Sequence, residues 1–358
     1  MKKILIVSTV GLIYDGITSV ILQYLQAMNS KKFDIYVVAT IDAKPSIINQ
    51  IENCDCTVIT FPNRRTETLK YFFDLIKFIK SNHIDIIHAH GNSATLAIEM
   101  VAAKIGRCPK RIAHSHNTKC NQIKADKILR PIFNCSYTDG LACGEDAGKW
   151  LFGDKKFEVL TNGRNIEQYK FSLQNRNKIR EFYGIKDELV IGHVGGFFEQ
   201  KNHRFLVEIY KEVKKIEPRS KLFMIGDGIL KTEIEKACEK LEVIFTGSID
   251  NISEYLSAMD GMVLPSLFEG LPLVSIEWQI NGLPCVLSNK ITKECKLTDC
   301  VDFLSLDDSA QNWAKVIVNK IKNNKRQFCA DKSYKLIKNS NFNIDNNVKK
   351  LERIYGEG

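Results

Sequence analysis

Short apolar runs recur along the 358 residues with longer helical patterns between them, and this alternation constrains the fold more than any other feature. Ile4–Val7, Phe33–Val38, Thr57–Phe61, Ile84–Ala89, Arg111–Ser115 and Gly140–Cys143 read as strands. A second series, Val190–Val194, Lys221–Ile225, Val243–Thr246, Gly261–Leu264 and Pro284–Leu287, reads the same way. Apolar strands alternating with helices predict parallel sheets wrapped on both faces. The chain is long enough for two domains with separate cores. The pattern breaks between Asn162 and Lys186, at Gly163 and a polar stretch, so the expected division is 1–165 and 166–340, both α/β and Rossmann-like.

Charge and cysteine content narrow the setting. Eleven cysteines include no Cys-x-x-Cys, which predicts reduced thiols in a cytoplasmic protein. The start, Met-Lys-Lys followed by Ile4 to Ile13, resembles a short signal peptide, but Ser8 and Thr9 interrupt it and no small-residue cleavage site follows. No apolar run approaches the ~20 residues of a membrane-spanning helix. The net charge of +9 is concentrated: Lys104–Arg130 holds eight bases and one acid, Asp126, and Asn312–Gly358 holds eleven bases and four acids. Such patches suit nucleotides, nucleic acid or an anionic membrane surface, or are simply a solvated lysine-rich face. No nucleic-acid-binding motif accompanies them, so no nucleic-acid partner is expected.

In open parallel sheets ligands bind at the carboxyl ends of strands, so the loops after strands carry the chemical reading. Ser8–Gly16 contains Gly11 and Gly16 but no Gly-x-Gly-x-x-Gly, which argues against a dinucleotide site. Gly195 and Gly196 open a loop that ends in Gln200-Lys201-Asn202-His203, where glycines admit a ligand and Lys201 adds charge beside a phosphate; a plain turn with a solvated lysine reads equally well. Gly226-Asp227-Gly228 is a turn first and a phosphate contact second. His88, His90, His114 and His116 cluster at two strand ends, with His114 and His116 on one face. Without carboxylates or thiolates at ligand spacing they predict no metal; neutral imidazoles there suit a sugar hydroxyl or a leaving oxygen, or are hydrogen-bonded rim residues.

Two glutamates, Glu269 and Glu277, lie in the run from Pro265 to Pro284. A helix is expected to start near Leu271 or Pro272 and to end before Gly282, with Glu277 its one charge. A buried carboxylate requires a polar partner, and sugar hydroxyls would serve. At 1.5 Å per residue Glu277 stands about 7.5 Å along the helix from Pro272, so the two carboxylates can grip separate parts of one ligand. They can also be a capping acid and half of a buried ion pair.

These residues resemble a known family. The Glu-x7-Glu pair of Glu269 and Glu277, with His88-Ala-His90-Gly91-Asn92, His114-Ser115-His116-Asn117, Gln200-Lys201-Asn202-His203 and Ser266-Leu267-Phe268-Glu269-Gly270-Leu271-Pro272, is similar to family 4 retaining GT-B glycosyltransferases of bacterial exopolysaccharide and capsule synthesis. The resemblance implies two Rossmann-like domains, with a last helix, about 341–358, that packs back on the first. It implies a nucleotide-sugar donor, with UDP favoured over GDP, and transfer with retention to an oligosaccharide or lipid-linked glycan acceptor. It implies no cofactor and no metal, in keeping with the absence of an Asp-x-Asp motif.

By the same resemblance Glu269, Lys201 and His116 are catalytic, Glu277 holds the ribose, and Gly16, Gly195, Gly196, Gly226, Ser248, Ile249, Gly270, Leu271 and Pro272 line the donor. The chain departs from the family pattern at Asp15, at Gly196 in place of an arginine, and at Arg164-Asn165; Arg164 or Arg204 would replace the missing cation. A non-catalytic partner subunit and a GT-B sugar-nucleotide epimerase remain alternatives. The basic run Lys104–Arg130 and a helix over Thr66–Ser81 bearing Lys70, Lys77 and Lys80 suit peripheral contact with an anionic inner membrane face.

Overall fold

A computed structural model describes residues 1–13, 15–40, 43–120 and 122–356. The chain forms two compact units, Met1–Gly163 with Ile344–Gly358, and Arg164–Asn343.

The first unit holds seven strands: β1 (Lys2–Ser8), β2 (Phe33–Thr40), β3 (Thr57–Phe61), β4 (Ile86–Gly91), β5 (Lys110–Ser115), β6 (Asp139–Ala142) and β7 (Glu158–Val159). All pair in parallel in the order β3-β2-β1-β4-β5-β6-β7. Helices α1 (Gly16–Ala27), α2 (Pro45–Glu52), α3 (Thr68–Asn82), α4 (Ala97–Ile105), α5 (Ile123–Asn134) and α6 (Glu145–Phe152) make the crossovers. Asp15, at one departure from the family pattern, is the N-cap of α1 and accepts the Thr18 amide at 2.8 Å.

The second unit repeats the plan with β8 (Val190–Val194), β9 (Lys221–Ile225), β10 (Val243–Gly247), β11 (Gly261–Leu264), β12 (Cys285–Ser288) and β13 (Val301–Leu304), ordered β10-β9-β8-β11-β12-β13. Its helices are α7 (Leu173–Phe182), α8 (His203–Ile216), α9 (Lys231–Ala237), α10 (Ile252–Ala258), α11 (Leu273–Ile280), α12 (Ala310–Lys322) and α13 (Arg326–Lys338). In each sheet the strand order reverses at one place, between β1 and β4 and between β8 and β11, and such reversals open the crevice where parallel sheets bind ligands.

The last helix, α14 (Ile344–Gly356), belongs to the first unit. It buries Ile344, Val348, Leu351, Ile354 and Tyr355, a helical stripe. Polar ties add to it: Asn347 Nδ2 donates to Thr161 O at 2.7 Å, and Lys2 Nζ to Tyr355 O at 3.1 Å. A Cβ on Gly163 would lie 2.8 Å from Ile344 Cα, so the chain passes there only as glycine.

Several boundaries differ from the sequence reading. The units divide after Gly163 and after Asn343, because the Arg164 amide already donates to Phe342 O at 2.8 Å and Arg164 bridges Asn343 inside the second unit. β7 and β13 were not anticipated: β7 has two residues, and β13 is an edge strand interrupted by Asp302. α3 starts at Thr68, and α14 starts at Ile344 rather than 341. α11 starts at Leu273, which leaves Pro272 as its N-cap, and Gly282 follows its end at φ +73°. Among the described residues no helix is long and apolar enough to cross a membrane.

Candidate active site

In the second unit the loop after β8 and the loop after β11, on the two sides of the reversal, are joined by hydrogen bonds. Leu267 N donates to Gln200 O at 2.8 Å, Gln200 Nε2 to Phe268 O at 3.1 Å, and Asn202 Nδ2 to Pro265 O at 3.1 Å. Asn202 turns the chain into α8 in the left-handed region, φ +55°. This frame brings Lys201 Nζ to 2.6 Å from Glu269 Oε1. Glu269 also accepts from Ser266 Oγ at 2.9 Å and Gln200 Nε2 at 3.1 Å. The carboxylate is therefore fixed by three donors, each able to exchange for a ligand hydroxyl.

The glycines divide by function. A Cβ on Gly195 would lie 3.1 Å from Lys201 Cδ and Cε, so this glycine seats the lysine stem. Gly226, at φ +142°, packs directly under the Gly195 carbonyl, and its amide donates to Gly247 O at 3.0 Å. These two are required by loop packing, the turn reading already open for both loops. A Cβ on Gly196 would lie 2.7 Å from the Phe198 ring, a half-exposed side chain that can move. Around Gly270, and around Gly16 in the first unit, an added Cβ would meet nothing within 4 Å. No packing constraint explains glycine at those two positions, and both leave open space beside the backbone.

Glu277 is buried on α11 between Ile276 and Trp278. Its partner is protein: Arg164 Nε donates to Oε1 at 2.7 Å, with both side chains less than a tenth exposed. Burial pushes the Glu277 carboxyl above the ordinary range, while Arg164 and a hydrogen bond from Tyr169 pull it back. The buried ion pair, one of the two alternatives above, is thus formed. Neither proposed substitute for the missing arginine is a spare cation, since Arg164 holds Glu277 and Arg204 is clasped by Glu199 at 2.7 Å and Glu233 at 2.6 Å. Ile249 and Leu271 pack on the same core cluster, and Ser248 stands beside Ile249 just past β10.

Lys231, Tyr169 and the Arg164–Glu277 pairing escaped the sequence reading. Lys231 Nζ lies 3.9 Å from the position of a Cβ on Gly247, at the carboxyl end of β10, and its carboxylate contact, Glu235, is distant at 4.0 Å. The signal available was a lysine three residues beyond Gly228, closing the loop after β9.

In the first unit the histidines form two coupled pairs at the ends of β4 and β5. A hydrogen bond of 3.1 Å joins His88 Nε2 to His114 Nδ1, with ring planes 9° apart, and one of 2.8 Å joins His90 Nδ1 to His116 Nε2, 20° apart. The pairs stack, with His88 and His90 centroids 4.1 Å apart, and Tyr355 OH meets His88 Nδ1 at 2.6 Å. Burial pushes His88 and His116 down to about 3 and holds His90 and His114 well below their ordinary value. All four are neutral imidazoles near pH 7.

Nitrogens of His88, His90 and His114 lie within 4.8 Å of one another; His88 Nε2, His114 Nδ1 and His90 Nδ1 are used in the hydrogen bonds of the two pairs, and His114 Nε2 is buried without a hydrogen-bond partner. His116 Nδ1 is buried without a partner, and its amide is held by Asn92 Oδ1 at 3.2 Å. His116 and Gly16 thus belong to one unit, and Lys201, Glu269, Glu277 and the remaining site residues to the other.

Comparison with known proteins identifies the family of both units. Residues 3–139 match the family model described as glycosyl transferase 4-like, and residues 188–323 the model for glycosyl transferases group 1. The putative glycosyltransferase EpsF of Bacillus subtilis is 36% identical over 248 residues, 64% of each chain, so the match spans slightly less than two thirds of that relative's length. An Escherichia coli UDP-Gal:alpha-D-GlcNAc-diphosphoundecaprenol alpha-1,3-galactosyltransferase is 27% identical over 80% of this chain and 79% of its own. Among solved structures, Anabaena HepE in complex with UDP superposes with a TM-score of 0.81 at 16% identity, covering 99% of this chain and 100% of HepE. The chain belongs to the GT-B glycosyltransferases, with a glycosyl transferase 4-like first unit and a group 1 second unit.

Proposed function

We propose that the protein is a retaining glycosyltransferase of polysaccharide synthesis that moves a sugar from a UDP-sugar to a growing, lipid-linked glycan. The observation that carries this reading is the Lys201–Glu269 pair at the β8/β11 reversal, with open backbone at Gly270 beside it. Breaking the anomeric C–O bond places negative charge on the departing diphosphate and positive charge on the sugar ring. Lys201 suits the first and Glu269 the second, a fixed dipole aligned with the charge that develops. The acceptor hydroxyl forms the new bond to the anomeric carbon from the face the diphosphate leaves, and its proton passes to a diphosphate oxygen. His116, held neutral by burial, is assigned a hydrogen bond to the transferred sugar. Gly16, Gly196, Leu271 and Pro272 line the donor, Ser248 and Ile249 flank its base, and no divalent metal takes part.

UDP is favoured because HepE was solved with it and the Escherichia coli relative uses UDP-Gal, and the lipid-linked acceptor because that relative acts on a diphosphoundecaprenol-linked sugar. α5 supports an approach to an anionic membrane surface, with Lys124, Lys127, Ile128 and Ile132 exposed. The test is a panel of UDP- and GDP-sugars screened by thermal shift, then transfer to an undecaprenyl-diphosphate-linked sugar by wild type and Glu269→Ala. Transfer abolished by the substitution is expected. No stabilising nucleotide-sugar, or turnover indifferent to Glu269, would overturn the reading.

A further inference from the structure

Glu277 is the one charged group on α11, where Gln279 and Ser275 are satisfied within the protein and Trp278 Nε1 is buried without a hydrogen-bond partner. Gln279 donates to Cys295 O at 2.7 Å and accepts from Leu297 N and Thr298 N, both at 2.9 Å, and Ser275 Oγ donates to Pro272 O at 2.8 Å. The Arg164–Glu277 pair itself adds little to stability, because the desolvation of two buried charges offsets most of their attraction. What it does supply is constraint. Arg164 is pinned by its own backbone, through Phe342 O and the bridge to Asn343, so the guanidinium approaches Glu277 from a fixed direction. A carboxylate offers about four lone-pair sites, and the grips of Arg164 Nε and Tyr169 leave capacity for further donors.

The geometry points to Arg164 as a positioning residue for the donor: it holds and orients the Glu277 carboxylate as the acceptor for the vicinal diol of a nucleotide ribose. The inference rests on the proposed nucleotide-sugar reading and deepens it. Recognition of the diol then depends on a side chain at the start of the second unit, 113 positions away in sequence. Without the guanidinium, burial acts on the carboxyl with less opposition and favours its protonated form, which keeps one proton to donate and loses acceptor capacity.

The titratable groups acting on Glu277 are Arg164 and Tyr169. On the elements packed against α11, Cys285 Sγ is engaged with Leu283 O, Cys295 Sγ with Thr292 O, Arg326 with Asn281 and Met259, Tyr334 with Glu167, and Lys332 with Asp299.

The experiment measures binding of UDP and 2′-deoxy-UDP by calorimetry between about pH 6 and 8.5. Wild type is expected to prefer UDP by about tenfold or more across the range, as for a hydroxyl bonded to a charged acceptor. Arg164→Met is expected to show a weaker preference than wild type, weakest at the acid end of the range and rising with pH. Arg164→Met with the wild-type preference at every pH would overturn the inference. Should that variant not fold, Arg164→Lys carries the test: a reduced preference, flat with pH, supports the inference and an undiminished one overturns it. Wild type that binds UDP without preferring it over the deoxy form removes the Glu277–ribose contact, and the Arg164 inference with it. Wild type that binds neither UDP nor GDP fails the broader reading instead, which separates the two failures.

Discussion

Acid should weaken the first unit steeply between about pH 7.5 and 5.5. The perturbation is a fall from about pH 7.5 to 5.5, above the ordinary titration of carboxyl groups. His88, His90, His114 and His116 are held below their ordinary value by burial, two of them at about 3. The unfolded chain takes up these protons near pH 6.5 while the folded unit does not. Stability is therefore complete above about 6.5 and is lost as pH falls towards the folded values. One unit below 6.5 each imidazole forgoes slightly over ~1 kcal/mol, so four forgo about 5 kcal/mol, comparable with the whole stability of an ordinary domain.

The second unit carries its own comparison, with His193 held well below the ordinary value and His203 at about 4, both mainly by burial. It should lose about half as much. Urea unfolding by fluorescence separates the two, because Trp150 lies in the first unit and Trp278 and Trp313 in the second; subtracting the signal of Trp150→Phe assigns the transitions. The expected slope for the first unit approaches four protons, and His90→Phe should lower it by about one. A first-unit midpoint flat between pH 7.5 and 5.5, or a slope equal to that of the second unit, would refute the neutral-imidazole assignment.

Gly282→Ala should destabilise the second unit by roughly 2–4 kcal/mol, because the position has φ +73° and a Cβ there would meet the Ala330 backbone, with Cα at 2.6 Å. An unchanged urea midpoint would contradict the packing of α13 on the end of α11. Gly196→Arg should tighten UDP binding about tenfold, since only the movable Phe198 ring opposes it and a charge-assisted contact contributes ~1.5–3 kcal/mol. Calorimetry that finds equal or weaker binding would remove the diphosphate from that loop. Lys231→Ala should weaken UDP binding several-fold and make its dependence on salt shallower, with Lys201 supplying what remains. A wild-type salt dependence in that variant would show that the ammonium beside Gly247 does not face phosphate.

The strands were legible because a parallel sheet buries both faces, so each central strand is a nearly unbroken apolar run, as in Ile4–Val7 and Met262–Leu264. β13 escaped because an edge strand tolerates a charge, and Asp302 reads as a loop residue. The site was legible as a set of residue types at loop positions, and much less so as a set of pairings. Lys201 finds Glu269 across 68 positions and Arg164 finds Glu277 across 113, separations over which no local periodicity operates. The histidines lie between these cases. Alternation predicts that His114 and His116 share a face, but only the register that sets His90 opposite His114 decides which rings bond and which stack.

The route of the chain through α14 bears on synthesis. The second unit is one continuous segment and can close as soon as it leaves the ribosome. The first unit begins earlier but finishes later. The stripe that receives Val348, Leu351 and Tyr355 stays uncovered until the whole second unit has been made. During that interval His88 has no Tyr355 hydroxyl and Thr161 no Asn347 amide, so the earliest-made sheet waits, open to solvent and to chaperones, for the arrival of α14.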